Sequence, residues 1–195
     1  MGSLATAGAT AVRAQSIATI GAGVIGTGNR GSADLASVMA QPGAKVVALC
    51  DIKPDRLDKA ATAAAMHKPS TCRDYHELLA RKDIDAVVIA TPCDLHVEMA
   101  IAALKAGKHV YCEKPAGVDP ASIQGLVDAA RSSDRVFQIG QQMRSMARLR
   151  RTIEKVAEGA IGEVIMVKAQ RHASADLPHD PPRKTGSSMP NAQAM

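Results

Sequence analysis

Three groups of residues in this chain have types and spacings suited to chemistry. The first is Glu113-Lys114-Pro115, a lysine held between a carboxylate and a rigid residue just after the apolar run HVYC that ends at Cys112. A lysine so placed in a cleft can donate to a hydroxyl or carbonyl oxygen and carry charge as a reaction proceeds. The second is GTGNRG, from Gly26 to Gly31. The spacing Gly26-x-Gly28-x-x-Gly31 suits a tight turn, then a close backbone approach to a phosphate, then close packing of a helix on a strand, with main-chain donors from Thr27 to Arg30. The third is Asp51, about 20 residues beyond the last glycine, where a carboxylate accepts from the hydroxyls of an adenosine ribose. An overlapping Gly21-x-Gly23-x-x-Gly26 fits the same fingerprint. The later register is preferred because it leaves an apolar strand before the turn and sets Asp51 at the right distance. Bland readings stand beside each group: a ligand-free turn, an aspartate that caps the helix starting at Pro54, and a surface lysine in a loop.

The elements that must position these residues alternate. Short apolar runs at Ile20 to Ile25, Val46 to Leu49, Ala86 to Ala90, Val110 to Cys112 and Val136 to Ile139 are separated by helical stretches. Continuous apolar strands of this length imply burial on both faces, and the alternation predicts an α/β fold built on a doubly wound parallel sheet with right-handed crossovers. Helix starts are marked by Pro54, and by Asp119 as cap with Pro120 at the first helical position. All three chemical groups then fall at carboxyl ends of strands, the edge where such sheets bind ligands. After Gly140 the pattern predicts a helix over 144–158 with Leu149, Ile153 and Val156 inward, closed by Gly159, and then a strand in GEVIMVKAQRH.

With these elements in place, the chain resembles the Gfo/Idh/MocA family of NAD(P)-dependent oxidoreductases through GTGNRG, CDIKP, ATPCDLH, AGKHVYCEKP and EGAIGEV, over Ile17 to His172. The resemblance implies a Rossmann nucleotide-binding domain at 17–143, the start of a second, substrate-binding domain at 144–173, and truncation in or just after that domain's first strand. It implies hydride transfer between a nicotinamide and a secondary alcohol of a sugar, cyclitol or related substrate, with Lys114 as the catalytic lysine assisting proton transfer. Cofactor contacts are implied for Gly26, Thr27, Gly28, Asn29, Arg30, Gly31, Asp51, Thr91, Pro92, His96 and Glu113. His96 stands either near the nicotinamide or as a helix-start histidine with its hydrogen bonds satisfied. Glu113 either positions Lys114 or contacts the cofactor, and Gln141, Gln142 and Arg144 follow the fifth strand, where the family contacts cofactor or substrate. NAD is expected because a carboxylate at Asp51 repels a 2′-phosphate, while Lys53 keeps NADP open. A full-length parent of this kind is expected to be a homo-oligomer. Two rivals remain: an NAD-dependent glycoside hydrolase of the same family, and an inactive fragment that only binds or senses NAD.

Composition narrows the rest. The 195 residues suit one domain of ordinary size. The net charge of +5 is spread along helices and loops, clustering only at Arg144 to Arg151, and with two Tyr, one Phe and no Trp there is little to stack on bases, so no nucleic-acid partner is expected. No run of 18 apolar residues suggests a membrane partner. Cys50, Cys72, Cys93 and Cys112 form no C-x-x-C, so neither zinc nor a redox pair is signalled and no metal is expected. They are small hydrophobes, with Cys50, Cys93 and Cys112 close enough together for sensitivity to alkylation. Residues 1–16 are either the remnant of a twin-arginine signal with a small-residue cleavage site, which would place the protein in the periplasm, or a leader with no address, compatible with a cytoplasmic one. Residues 174–195 hold too few large apolar residues to order themselves and are expected to be a disordered tail.

Overall fold

The computed structural model describes residues 19–170; the expected leader and tail lie outside the described residues. Six parallel strands form one sheet: β1 (Ile20–Ile25), β2 (Ala44–Cys50), β3 (Ser70–Cys72), β4 (Ala86–Ile89), β5 (His109–Glu113) and β6 (Phe137–Gly140). Their order is β3-β2-β1-β4-β5-β6, so the winding reverses between β1 and β4. The chain divides into two compact units, Met1–Met146 and Ala147–Met195.

Helices α1 (Asn29–Met39) and α2 (Pro54–Ala63) pack Leu35, Leu57 and Ala60 on Val24, Val46, Leu49 and Val88. A second cluster joins α3 (Tyr75–Leu79), α4 (His96–Lys105) and α5 (Pro120–Ser132) to Ile25, Val87, Ile89, Val110 and Cys112 through Leu78, Val97, Ala100, Leu104 and Leu126. Neighbouring strand residues such as Val24 and Ile25 thus feed opposite clusters, which is why the runs are apolar throughout rather than alternating. The Asp119 carboxylate accepts from the Ser122 amide at 2.8 Å at the start of α5, as its cap position predicts.

Two elements had no sequence signal. Strand β3 has three residues, too few to show a pattern, and exists because it hydrogen-bonds to the edge of β2. Helix α3 is a single short segment started by Asp74, whose carboxylate accepts from the His76 amide at 2.9 Å.

The second unit corrects two expectations. Its helix α6 spans Ala147–Ala157, later than the predicted start at Arg144, because Gln142–Ser145 forms a separate 3-10 turn and Met146 is extended. Within this unit Ile153 is exposed, against expectation, while Leu149 and Val156 are half-buried. The expected strand after Gly162 is absent among the described residues: no ladder partner takes up the main-chain groups of 163–170, and Ile165, Met166 and Val167 are exposed. A strand exists only by pairing, however β-prone its residues.

At the amino edge of the sheet Lys108 is buried, and its ammonium donates to the carbonyls of Arg81 at 2.6 Å and Ile84 at 2.9 Å. Lys108→Met strands both acceptors, and a loss of about 2–4 kcal/mol of unfolding free energy is expected. Denaturant melts with an unchanged midpoint would contradict this.

Candidate functional site

The chain leaves β1 at Gly26, whose φ of +85° lies in the region that favours glycine. A Cβ there would meet the main chain of Ala90 at 2.8 Å and of Thr91 at 2.9 Å, so the end of β4 closes directly over the turn. A Cβ on Gly31 would run into the Gly26 carbonyl, so helix α1 is seated on the strand end. Between them Gly28 is the N-cap of α1, extended and with no side-chain hydrogen bond closing the helix. The first-turn amides are therefore left to donate to an anion rather than to a capping side chain. Asn29 and Arg30 are exposed on that turn.

Asp51, 8 % exposed, follows β2 and ties the turn in place. Its Oδ2 accepts from the Thr27 amide at 2.7 Å and the Thr27 hydroxyl at 3.1 Å, and its Oδ1 from the Lys53 amide at 2.9 Å. A carboxylate offers roughly four acceptor positions, so room remains for a hydroxyl. The ribose role and the local role at the start of α2 are thus compatible. Arg56, which no motif singles out, places its guanidinium against Gly28: Nη1 lies 3.0 Å from where a Cβ would sit. The available signal was its position in the first turn of the helix that follows Asp51.

Thr91 and Pro92 form the turn after β4, and His96 opens α4. The His96 ring is buried, with Nδ1 2.7 Å from the Pro115 carbonyl oxygen and Nε2 2.9 Å from that of Thr91. Both partners are acceptors, so which contact is the hydrogen bond depends on the tautomer, and in either case the ring lies between the turns after β4 and β5. Glu113, the last residue of β5, is buried; its Oε1 accepts from Arg30 Nη2 at 2.9 Å and from the Tyr111 hydroxyl at 3.2 Å, and its Oε2 from the Lys114 amide at 3.3 Å. Lys114 is exposed on the next residue, and its peptide bond to Pro115 is cis. The Arg30 side chain also meets Asp34 at 2.8 Å, so it points along the helix to β5 rather than over the glycine turn. Gln141, Gln142 and Arg144 are exposed after β6. Among the described residues no group of His, Cys, Asp and Glu could hold a metal. The ends of β1, β2, β4 and β5 therefore bring the glycine turn, Asp51, Thr91, Glu113 and Lys114 to one edge.

The family description "Oxidoreductase family, NAD-binding Rossmann fold" matches residues 20–141, which take in the glycine turn, Asp51 and the Lys114 turn. The chain belongs to the Gfo/Idh/MocA oxidoreductase family. This Gfo/Idh/MocA domain is 33 % identical over 165 residues to the inositol 2-dehydrogenase of Salmonella typhimurium, covering 82 % of the chain and 48 % of that protein. It is 41 % identical over 127 residues to a glycosyl hydrolase family 109 protein of Streptomyces niveus, covering 60 % of the chain and 25 % of that protein. Among solved structures it is similar to scyllo-inositol dehydrogenase from Lactobacillus casei with bound NAD(H) and scyllo-inositol, with a TM-score of 0.70 and 30 % identity over 74 % of the chain and 43 % of that one. The domain thus spans about half the length of the inositol dehydrogenases it matches. No helix among the described residues is long and apolar enough to cross a membrane.

The cysteines are free. Cys50 and Cys112 are buried, so the expected closeness of the strand-end cysteines does not make these two accessible. Burial pushes both thiols up, Cys112 to about 12. At neutral pH a disulfide reagent is expected to modify Cys93 first and to spare Cys50 and Cys112 until the protein unfolds; four thiols reacting together would contradict the packing. Native Cys112 holds its proton more tightly than the unfolded chain does. Its contribution to stability is therefore complete below the ordinary value of 9.0 and is lost as pH rises toward about 12.

Proposed function

We propose that this domain holds the dinucleotide of an NAD-dependent oxidoreductase that acts on a secondary alcohol of a sugar or cyclitol, with Lys114 moving a proton at the substrate oxygen. The observation that carries the reading is that Lys114 follows β5 on the same edge as the uncapped helix start at Gly28, two strands from β1. The amides of Gly28 to Arg30 and the positive end of α1 hold the pyrophosphate, while the Thr27 amide is already taken by Asp51. Asp51 accepts from the ribose hydroxyls, and the turn at Thr91 and Pro92 walls the cofactor. A bound nicotinamide supplies the hydride acceptor. Lys114 Nζ orients the substrate hydroxyl and takes its proton as the hydride leaves the carbon, so that no full charge is left on that oxygen. Arg56 and Lys53 lie beside the ribose position and temper the preference that Asp51 gives for NAD over NADP.

The likeness to a glycosyl hydrolase family 109 protein, at 41 % identity, supports a second reading: glycoside cleavage by transient oxidation with no net change in NAD. Absorbance at the NADH maximum separates the two. A full-length enzyme carrying this domain, given NAD and a cyclitol, is expected to accumulate NADH stoichiometrically with product. Release of free sugar from a glycoside with no accumulated NADH would favour the hydrolase.

A further inference from the structure

Arg30 stands where a phosphate clamp is expected, in the first turn after the glycine loop, yet its guanidinium is used elsewhere. Nη2 is shared between Asp34 at 2.8 Å and Glu113 at 2.9 Å, across 83 residues of sequence in the second case. The two carboxylate side chains are only 8 % and 4 % exposed, and among the described residues Arg30 is the cation that faces them. Asp34 has one buried oxygen with no hydrogen-bond partner, and burial raises its pKa against the pull of Arg30. The Tyr111 hydroxyl completes the set on the same Glu113 oxygen. The other Glu113 oxygen receives the amide of Lys114. A short chain of contacts therefore runs from the helix start that would hold a pyrophosphate, through Arg30 and Glu113, to the main chain of the lysine.

We propose that Arg30 is a positioning residue for Lys114: it fixes the Glu113 carboxylate, which in turn fixes the turn carrying the lysine, and so couples occupation of the glycine turn to the placement of Nζ. This rests on the reading of Lys114 as the proton-moving group. The physical ground is the cost of an uncompensated buried charge. Without the guanidinium, Glu113 faces Asp34 with no cation between them, and a buried carboxylate in that state turns toward water or takes up a proton. Either response loosens the acceptor that the Lys114 amide uses. A side chain that contacted only phosphate would leave that amide untouched.

The test is amide hydrogen exchange at Lys114, Ala116 and Gly117, followed by NMR on the 195-residue chain without cofactor. Arg30→Gln is expected to speed exchange at Lys114 by at least about ten-fold, and Arg30→Lys to restore much of the protection, because one ammonium can serve both carboxylates. Glu113→Gln is expected to speed the same amide, and the double variant Arg30→Gln/Glu113→Gln to go no further than Glu113→Gln alone. The double variant still strands Asp34, so the triple variant Arg30→Gln/Asp34→Asn/Glu113→Gln, compared with Asp34→Asn/Glu113→Gln, reports on the coupling if Arg30→Gln does not fold. Unchanged exchange in Arg30→Gln, or two substitutions whose effects simply multiply, would overturn the proposal.

A second arm adds NADH. It is expected to protect the Lys114 amide further in the wild-type chain, and to lose that effect in Arg30→Gln while binding within about five-fold of wild type. Loss of binding by a hundred-fold or more would make Arg30 a direct cofactor ligand and overturn the positioning role. Failure of the wild-type chain to bind NADH at all would instead count against the proposed function, leaving the cofactor-free exchange result to decide the tie between Arg30 and Lys114.

Discussion

Lys114→Ala, made in a full-length enzyme that carries this domain, is expected to lower turnover by roughly two to four powers of ten while cofactor affinity stays within about three-fold. The separation of the two effects follows from where the residue sits. Lys114 is exposed at the end of β5, and the tight geometry around it belongs to its neighbours: Glu113 takes its amide, and Pro115 offers its carbonyl to His96. Truncating the side chain leaves those contacts in place, so the edge that binds dinucleotide keeps its shape. What is lost is the amine that takes the hydroxyl proton as hydride leaves the carbon, and returns it to the carbonyl oxygen in the reverse reaction, an interaction that strengthens as charge develops. Steady-state kinetics with a calorimetric titration of NADH check both halves. A variant with a normal rate would move the proton-transfer role to another residue.

Asp51→Ala is expected to weaken NADH binding by about ten- to a hundred-fold and to narrow the preference over NADPH. Two losses combine. On the proposed reading the ribose hydroxyls lose their acceptor, and the glycine turn loses the carboxylate that receives the amide and hydroxyl of Thr27 together with the amide of Lys53. Asp51→Asn separates the two, since a neutral amide oxygen can still accept from Thr27 but no longer repels a 2′-phosphate. It is expected to retain more NADH affinity than alanine and to gain in NADPH. Parallel titrations with the two reduced cofactors decide it; equal or tighter NADPH binding by the wild-type chain would sink the NAD assignment.

The sequence made the glycine turn, Asp51 and the strand before Lys114 legible because each depends on a local condition. Gly26 is dictated by its own φ, Asp51 by its distance from the turn, and β5 by a continuous apolar run. Contacts that bridge distant segments were not legible. Nothing near Arg30 signals that its guanidinium will reach Glu113 instead of a phosphate, because the partner is 83 residues away. Arg56 carries no motif signal because it lies against Gly28 only once α2 has folded back from β2. Strand β3 was missed and a strand after Gly162 was wrongly expected for one reason: three residues of β3 gain an edge to pair with, whereas the β-prone run at 163–170 finds none among the described residues. Pairing is a property of the neighbour, not of the segment.

The histidine that joins the carbonyls of Thr91 and Pro115 sets a rule for anyone wishing to swap parts between members of this family. Because one ring holds the turns after β4 and β5 to each other, segments 91–96 and 113–117 form a single unit of exchange. A chimera that imports a new lysine turn under an old His96, or the reverse, joins two halves shaped against different partners. Crossover points placed in α4 beyond His96, which take the histidine from one parent and the lysine turn from the other, would cut that joint. Points placed before Thr91 and after Gly117 would keep it whole.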